Sequence, residues 1–303
     1  MSQNIKKGFL LSFIGVFAIT FDTLLLRLLT EDLDFWTILF YRYMIYTLVS
    51  FSYNLKYLGL NIFKEIYKTG RLGLGCISTL TICNFCFIAS VENTNVYNLL
   101  MIYSTSPILT SIFSYITFRQ KLFWWNIFTL FSATLTTILI LYFNIDEETK
   151  FSKKENIIGI YFAIGATITT SIYFTIVKYS EIKYPENKMV TTTFSSGFLT
   201  SFISFILTLT VDKHNFYIPK MDVLYLIIQG GVILPVCYIC VTQSLKYISS
   251  TESNLMFLLE TILGPLWVYL GGFEKIPNLN ILGIFLIVSF LSFNGIMTIK
   301  FGN

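Results

Sequence analysis

One acidic residue stands in the middle of a long apolar run near the end of the chain. Glu260 follows the segment Asn254-Leu-Met-Phe-Leu-Leu, and a Gly264-Pro265 pair comes one helical turn later. A charged side chain at the centre of a bilayer costs roughly 2.5–3.5 kcal/mol on insertion scales, so such residues usually face a protein interior or a water-filled path. Glu260 is therefore predicted either to bind a proton or a solute, or to lock two helices together by hydrogen bonding.

The residues around this acid recur at helical spacing and share one face of a helix. That face combines an acid with glycines and aromatic rings, which suits a cavity wall, and its members are Ser253, Phe257, Glu260, Gly264, Trp267 and Gly271. Pro265 removes one backbone donor, so a kink suited to a gate is expected at Gly264-Pro265. Phe257 and Trp267 are candidate solute-binding residues on this face.

Two further charges lie deep in apolar runs. Asp22 stands between Phe21 and Thr23 in the first run, and Arg42 lies two turns into the second. An Asp22–Arg42 pair would offset the cost of burying both charges. Such a pair fits a structural role, and it equally fits a site that lends one partner to a zwitterionic solute. Lys178 is predicted to be a helix-end residue that extends to the membrane interface.

A polar segment of the fourth apolar run is a second candidate for the cavity wall. One helical face carries Ser104, Pro107, Ser111 and Ser114, with Ser106 and Asn98 close by. Hydroxyls in membrane helices either line a cavity or bond to their own backbone and let helices pack closely. Ser104, Ser106 and Asn98 are predicted to line the cavity, and Pro107 is predicted to kink the helix.

The cysteines have the spacing of zinc half-sites, in Cys83-x-x-Cys86 and Cys237-x-x-Cys240. Each pair lies inside an apolar run, however, where small residues at helix crossings explain it better. No metal site, cofactor or disulfide is predicted. The sequence also lacks a glycine-rich phosphate loop, a nucleophile elbow and a basic stripe for nucleic acid, so neither an enzyme nor a nucleic-acid-binding protein is predicted.

The elements that must position these residues follow from composition. Of the 303 residues, 54% are hydrophobic and 13% are charged, whereas about 25% are charged in soluble domains. An all-α integral membrane protein is therefore predicted. At roughly 20 residues per crossing, the chain divides into ten transmembrane helices, at 8–29, 35–57, 72–91, 94–118, 123–143, 157–179, 189–211, 221–246, 251–272 and 279–299.

The two halves of the chain repeat each other. A shift of 154 residues places Cys83 on Cys237 and Cys86 on Cys240, and a shift of 151 places Gly8 on Gly159 and Arg27 on Lys178. Because each half has an odd number of spans, equivalent spans cross in opposite directions, as in transporters built from inverted repeats around a midplane site. Two inverted five-helix repeats are predicted, 1–146 and 155–303, joined in one structural unit.

Lysine and arginine in the short loops predict the orientation, because they are enriched on the cytoplasmic side. With both termini cytoplasmic, twelve of these residues lie inside and six outside. We therefore predict a multi-pass protein of the cell (inner or plasma) membrane with both termini in the cytoplasm.

Several segments together resemble a known family, the EamA-like ten-helix branch of the drug/metabolite transporter superfamily. The segments that carry the resemblance are Ser106-Pro107 leading to Arg119-Gln120-Lys121, Leu259-Glu260-Thr261 leading to Gly272-Phe273-Glu274, Tyr247 to Asn254, and Tyr41-Arg42-Tyr43. The chain departs from the family twice: Arg119-Gln120 replaces the usual Gly-Glu, and Glu260-Thr261 replaces the usual Glu-Pro.

The resemblance implies a secondary transporter of a small organic solute that works by alternating access. The solute class stays open among amino-acid-like, nucleotide-like, sugar-like and drug-like molecules. The implied cavity lies between the halves, against the fourth and ninth spans, with the first, third, sixth and eighth completing it. A proton or a counter-substrate as the coupled species, and a homodimer, also stay open. The alternative is a membrane scaffold or partner subunit that kept the fold but does not transport.

Overall fold

The structure, a computed structural model, describes residues 2–29, 33–119, 123–143, 152–210, 216, 218–273 and ten positions between 285 and 301. Within these residues the chain forms α-helices and no strands, which confirms the all-α prediction. The helices are α1 Ser2–Ile19, α2 Asp22–Leu28, α3 Phe35–Leu58, α4 Ile62–Asn93, α5 Val96–Tyr103, α6 Ser106–Phe118, α7 Trp124–Phe143, α8 Lys153–Lys183, α9 Val190–Thr210, α10 Lys220–Ile228, α11 Leu234–Ser244, α12 Ser250–Leu255 and α13 Leu258–Leu270.

Seven stretches of the described chain are long and apolar enough to cross a membrane. One of them, Phe35–Asn93, contains 59 residues and covers both the second and the third predicted span. Helix α7 occupies the fifth predicted span, and the tenth, 279–299, lies largely outside the described residues. The count of ten transmembrane helices therefore stays a prediction.

The two halves of the chain interleave. Helix α1 of the first span packs along α11 of the eighth, and α8 of the sixth span packs along α4 of the third. Helices α3 and α9, of the second and seventh spans, also pack together. This reciprocal pairing of equivalent spans is the pattern expected of an inverted repeat, and it places the centre of the protein between the halves.

The cysteines lie where these helices cross. A Cβ added to Gly15 of α1 would stand 3.2 Å from the Cβ of Cys240, and one added to Gly165 of α8 would stand 3.1 Å from the Sγ of Cys86. Small residues let the helix backbones approach closely at such crossings. The contacts agree with the packing role that the sequence predicts for these residues.

The fourth and ninth spans are each interrupted near the middle. Helices α5 and α6 are separated at Ser104-Thr105, and α12 and α13 at Met256-Phe257. The backbone bonds tighten to i→i+3 at both breaks, as in Thr105 N to Ile102 O (3.1 Å) and Glu260 N to Phe257 O (3.0 Å). The interrupted spans cross each other there, because α5 packs on α13 and α6 packs on α12.

The ninth span is interrupted before the predicted kink at Gly264-Pro265, and that kink stays a prediction. Helix α13 continues through both residues, and the interruption lies two turns earlier. A proline inside a helix removes only one donor, whereas Asn254 just before the break bonds to α6 of the other half, with its Nδ2 2.6 Å from Thr110 Oγ1. Pro107, by contrast, occupies the first turn of α6, directly after the break in the fourth span.

The end of α6 supports a prediction on stability. Arg119 ends this helix with a left-handed backbone (φ 50°), which costs a residue with a Cβ about 1–2 kcal/mol relative to glycine. Because its side chain is exposed, we expect Arg119→Gly to raise the free energy of unfolding by about 1 kcal/mol, seen as a higher Tm in detergent. Arg119→Ala, the matched control, keeps the Cβ and should bring no gain. A glycine variant no more stable than the alanine variant would contradict the explanation.

Candidate functional site

A cavity of about 50 Å³ lies between the two halves, beside both helix breaks. One water molecule needs roughly 10–15 Å³ of such space, so the cavity holds several waters. Its wall combines charged and aromatic side chains, namely Asp22, Arg42, Tyr43, Phe87, Tyr103, Tyr173, Phe174, Tyr238, Phe257 and Glu260. These residues come from the first, second, third, fourth, sixth, eighth and ninth spans.

Asp22 and Arg42 form the ion pair that the sequence predicts. The Arg42 Nη2 donates to Asp22 Oδ2 over 2.7 Å, and both side chains are at most 2% exposed. Asp22 is the first residue of α2, directly after the interruption of the first span at Thr20-Phe21. The carboxylate thus lies at a helix N-terminus, where the helix dipole favours negative charge.

A π-helical turn of the eighth span, Gln229–Ile233, packs against this ion pair. The Nε2 of Gln229 donates to the backbone oxygen of Asp22 over 3.1 Å. Gly230 permits the approach, because a Cβ at that position would stand 2.4 Å from the backbone oxygen of Arg42. Such turns widen a helix by one residue and are frequent at functional sites.

Part of the hydrogen-bonding capacity in the cavity wall is unused. Among the described residues, Asp22 Oδ1 and the Nε and Nη1 of Arg42 have no hydrogen-bond partner. Glu260 is 2% exposed, and no described residue forms a hydrogen bond with its carboxyl group. A buried polar group without a partner is costly, so these atoms are suited to bind a polar molecule inside the cavity.

The aromatic wall is fixed by ring contacts and hydroxyl bonds. Phe257 packs edge-on against Phe174, with ring centroids 5.6 Å apart, and lies 6.3 Å from the ring of Tyr103. The Tyr103 hydroxyl lies 3.0 Å from Thr170 Oγ1, and the Tyr173 hydroxyl bonds to Thr242. Because these hydroxyls bond to protein groups, the rings present rigid apolar surfaces to the cavity.

The structure brings together four of the predicted site residues. Asp22, Arg42, Phe257 and Glu260 all line the cavity. Gly264, one turn beyond Glu260, lies at a close crossing with α5, since an added Cβ would stand 2.5 Å from Leu100 Cδ1. The face predicted on the ninth span therefore touches the cavity only near the break.

Four other candidates lie outside the cavity lining, because protein groups occupy their polar atoms. Ser104 Oγ donates to Met101 O (2.6 Å), and Ser106 Oγ donates to Asn254 Oδ1 (3.1 Å). Asn98 Nδ2 donates to Thr94 Oγ1 and to Asn156 Oδ1. Trp267 Nε1 donates to Thr20 Oγ1, and its ring stacks on Phe21. The structure thus shows these four residues in bonds within and between helices, and a part for them in binding the solute stays a prediction.

Sequence reasoning missed Asn84 and Tyr238. Both line the cavity, and the Tyr238 hydroxyl donates to Asn84 Oδ1 over 3.0 Å. The 154-residue shift that superimposes Cys83 on Cys237 also superimposes Asn84 on Tyr238. Polar residues at equivalent positions of an inverted repeat are candidates for contact across its axis, and that signal was present in the sequence.

Comparisons with known proteins agree with this architecture. The chain matches the EamA-like transporter family over residues 6–142 and 157–295, once in each half. Twenty-seven chains of solved structures match it. One, titled only "Crystal structure of protein", has a TM-score of 0.75 and 14% identity, covering 96% of this chain and 98% of its own. At that identity the likeness shows the fold alone, and no curated protein matched. The chain is a multi-pass membrane protein that belongs to the EamA-like transporter family.

Proposed function

We propose that this transporter carries a small organic solute with an ammonium group and an apolar body, and that it works by alternating access. The observation that carries the proposal is the carboxyl group of Glu260, which is buried in the wall of the cavity between the halves and has no hydrogen-bond partner among the described residues. A buried carboxylate needs a cation or a proton to offset its desolvation.

The charges of the cavity wall favour a solute with a cationic group. Two carboxyl groups, of Asp22 and Glu260, face one guanidinium, that of Arg42. The pair between Asp22 and Arg42 leaves Glu260 to receive the ammonium group, and aromatic faces nearby attract the same charge. The unused Nε and Nη1 of Arg42 suit a carboxylate on the same solute. An amino-acid-like molecule is the class that uses all of these groups.

The single carboxyl group of Glu260 can also couple the movement of the solute to that of a proton or of a second solute. Glu260 cannot hold a proton and pair with an ammonium group at the same time, so each would displace the other. Exchange of solute for a proton, or of one solute for another, follows from that competition. A scaffold protein, the alternative reading of the sequence, gives no reason to bury a carboxyl group without a partner.

Alternating access is supported by the small size of the cavity, about 50 Å³, and by the repeat. A space that holds several waters is too small for an organic solute, so the helices around it must move apart before one enters. Inverted repeats provide two equivalent ways of separating, one toward each side of the membrane. The broken fourth and ninth spans cross beside the cavity, where such rocking would be centred.

Flux into liposomes that contain the purified protein tests the solute class. The probes are a matched series: an apolar amino acid, the amine that it gives on decarboxylation, and the acid that it gives on deamination. We expect flux of the amino acid and of the amine, faster with an opposing proton gradient, and none of the acid. Flux of the acid alone would contradict the assignment of Glu260, and the absence of flux for this series would contradict the proposed solute.

A further inference from the structure

Two basic residues at equivalent positions of the halves hold two equivalent turns. Arg27 Nη2 donates to the backbone oxygen of Thr94 over 2.8 Å. Lys178 Nζ donates to the backbone oxygens of Ile248 (2.8 Å) and Leu245 (2.7 Å). The 151-residue shift pairs Arg27 with Lys178, and the 154-residue shift pairs Thr94 with Ile248. Lys178 thus binds the turn after α11, and its predicted position at the membrane interface stays a prediction.

Two glycines form a second set of equivalent contacts at the same turns. A Cβ added to Gly8 would stand 2.8 Å from Tyr247 Cβ and 2.7 Å from Ile248 Cγ2. A Cβ added to Gly159, the repeat partner of Gly8, would stand 2.9 Å from the carbonyl carbon of Asn93 and 2.7 Å from Thr94 Cβ. Each turn is thus held on one side by a cation and on another by close packing of a helix backbone.

The two sets lie at opposite ends of the first span. Gly8 is near the start of α1 and shares its set with Ile248 and Lys178, at what we term the amino-terminal face. Arg27 is near the end of α2 and shares its set with Thr94 and Gly159, at the opposite face. The cavity is lined by the segments between them, so one set lies on each side of the cavity along the first span.

Asn156 strengthens the set at the opposite face. Its Oδ1 accepts hydrogen bonds from the Thr94 hydroxyl and from Asn98 Nδ2, the latter over 3.3 Å. Ser90 Oγ adds a bond of 2.9 Å to the backbone oxygen of Gly159. The side chains of the first half are therefore joined at this face to the start of α8, in the second half.

We infer that Arg27 and Lys178 are the matched latches of two gates, each keeping one face of the transporter closed. Both latches are formed in the structure, in agreement with a cavity too small to admit an organic solute. A cation that donates to a carbonyl oxygen at a helix end satisfies an otherwise unpaired acceptor and interacts favourably with the helix dipole. The first span packs on α11, and α4 packs on α8, so each cation joins one of these helix pairs to the other. Loss of one latch removes this stabilisation from the closed state of one face and leaves the other face unchanged.

The inference rests on the proposed alternating access, and its test does not require a known solute. Cys83 and Cys237 line the cavity and serve as native probes, once Cys76, Cys86 and Cys240 are replaced by serine. A membrane-impermeant thiol reagent is added to one side of sealed vesicles in which the orientation of the protein has been determined. The labelling rate then reports how often the cavity opens to that side.

We expect opposite results for the two latches. Arg27→Met should raise the rate of labelling from its own face, which is opposite the amino-terminal face, by about tenfold, the scale of one lost charge-assisted hydrogen bond. Labelling from the amino-terminal face should not rise. Lys178→Met should do the reverse. The matched controls Arg27→Lys and Lys178→Arg keep a cation and should label at nearly the rate of the parent protein.

The glycines give an independent pair of variants that leaves both cations in place. Gly159→Ala should open the opposite face, as Arg27→Met does, because the added Cβ pushes α8 from the turn at Thr94. Gly8→Ala should open the amino-terminal face, as Lys178→Met does. If the charge variants and the glycine variants change labelling from the same faces, each gate is assigned to one face even if one variant folds poorly.

Equal changes at both faces, or no change at either, in folded variants of both kinds would overturn the latch inference. The outcome is separable from that of the proposed function. If the latch variants label with opposite sidedness while no probe is carried, the solute assignment fails and the latches stand. If the probes are carried but labelling has no sidedness, the latches fail and the solute assignment stands.

Discussion

Replacement of Glu260 by glutamine is expected to lower the flux of the amine and amino-acid probes by about a hundredfold, the scale of a lost charge-assisted interaction of about 3 kcal/mol. Glutamine has nearly the shape of the acid and retains hydrogen bonding, but it neither pairs with an ammonium group nor exchanges a proton. The residual flux should therefore also lose its dependence on a proton gradient. Initial rates in liposomes, at two pH values inside and one outside, measure both effects.

A matched control separates the role of Glu260 from a general effect of losing an acid. Glu186→Gln makes the same isosteric change at an exposed position after the end of α8, in a surface ion pair with Lys68 and outside the cavity lining, and should leave flux within about twofold of the parent, since changes at such surface positions are usually small. If Glu260→Gln also leaves flux and its pH dependence unchanged, Glu260 is neither the solute-binding nor the coupling group.

The Asp22–Arg42 pair supports the second large prediction, on stability. Removal of one partner of a buried ion pair typically costs about 3–5 kcal/mol, because the other charge is left uncompensated. We expect Asp22→Asn to be the more damaging single change, since the Arg42 guanidinium cannot give up its proton. In Arg42→Met the remaining carboxyl group of Asp22 can take up a proton, so the loss should be smaller.

The double variant Asp22→Asn/Arg42→Met completes the test. We expect it to recover most of the stability that Asp22→Asn loses, because no buried charge remains, yet to carry no amino-acid probe, because the partner for the solute carboxylate is gone. Thermal unfolding of all four proteins in detergent gives the coupling energy between the two positions. Additive losses would show that the pair does not stabilise the protein, and transport by the double variant would remove Arg42 from the proposed site.

Much of the architecture follows from the sequence alone, because the bilayer restricts what an apolar chain can do. Hydrocarbon thickness fixes the length of a span, so hydropathy locates helices at the first nine predicted positions within the described residues. The cost of burying charge in the membrane is what singled out Asp22, Arg42 and Glu260 before any contact was known. The internal repeat, read from matching cysteines and glycines, predicts the pairing of the two halves.

Hydroxyl and amide groups were harder to assign. The same spacing that predicts a polar wall for Ser104, Ser106 and Asn98 is compatible with helix packing, and only the positions of Asn254 and Asn156 show which of these groups are already bonded. The cavity instead uses Asn84 and Tyr238, which bond to each other across the two halves.

The sequence by itself determined that Glu260 had to be enclosed by protein, since an acid at that depth is too costly to face lipid. Tertiary structure decided what encloses it: the Asp22–Arg42 pair, an aromatic wall, and no hydrogen-bond partner among the described residues. Local spacing cannot supply this information, because the groups that surround Glu260 come from spans far apart in the chain. The break of the ninth span at Met256-Phe257 also depends on a distant part of the chain, because the neighbouring Asn254 bonds to Thr110 in the other half.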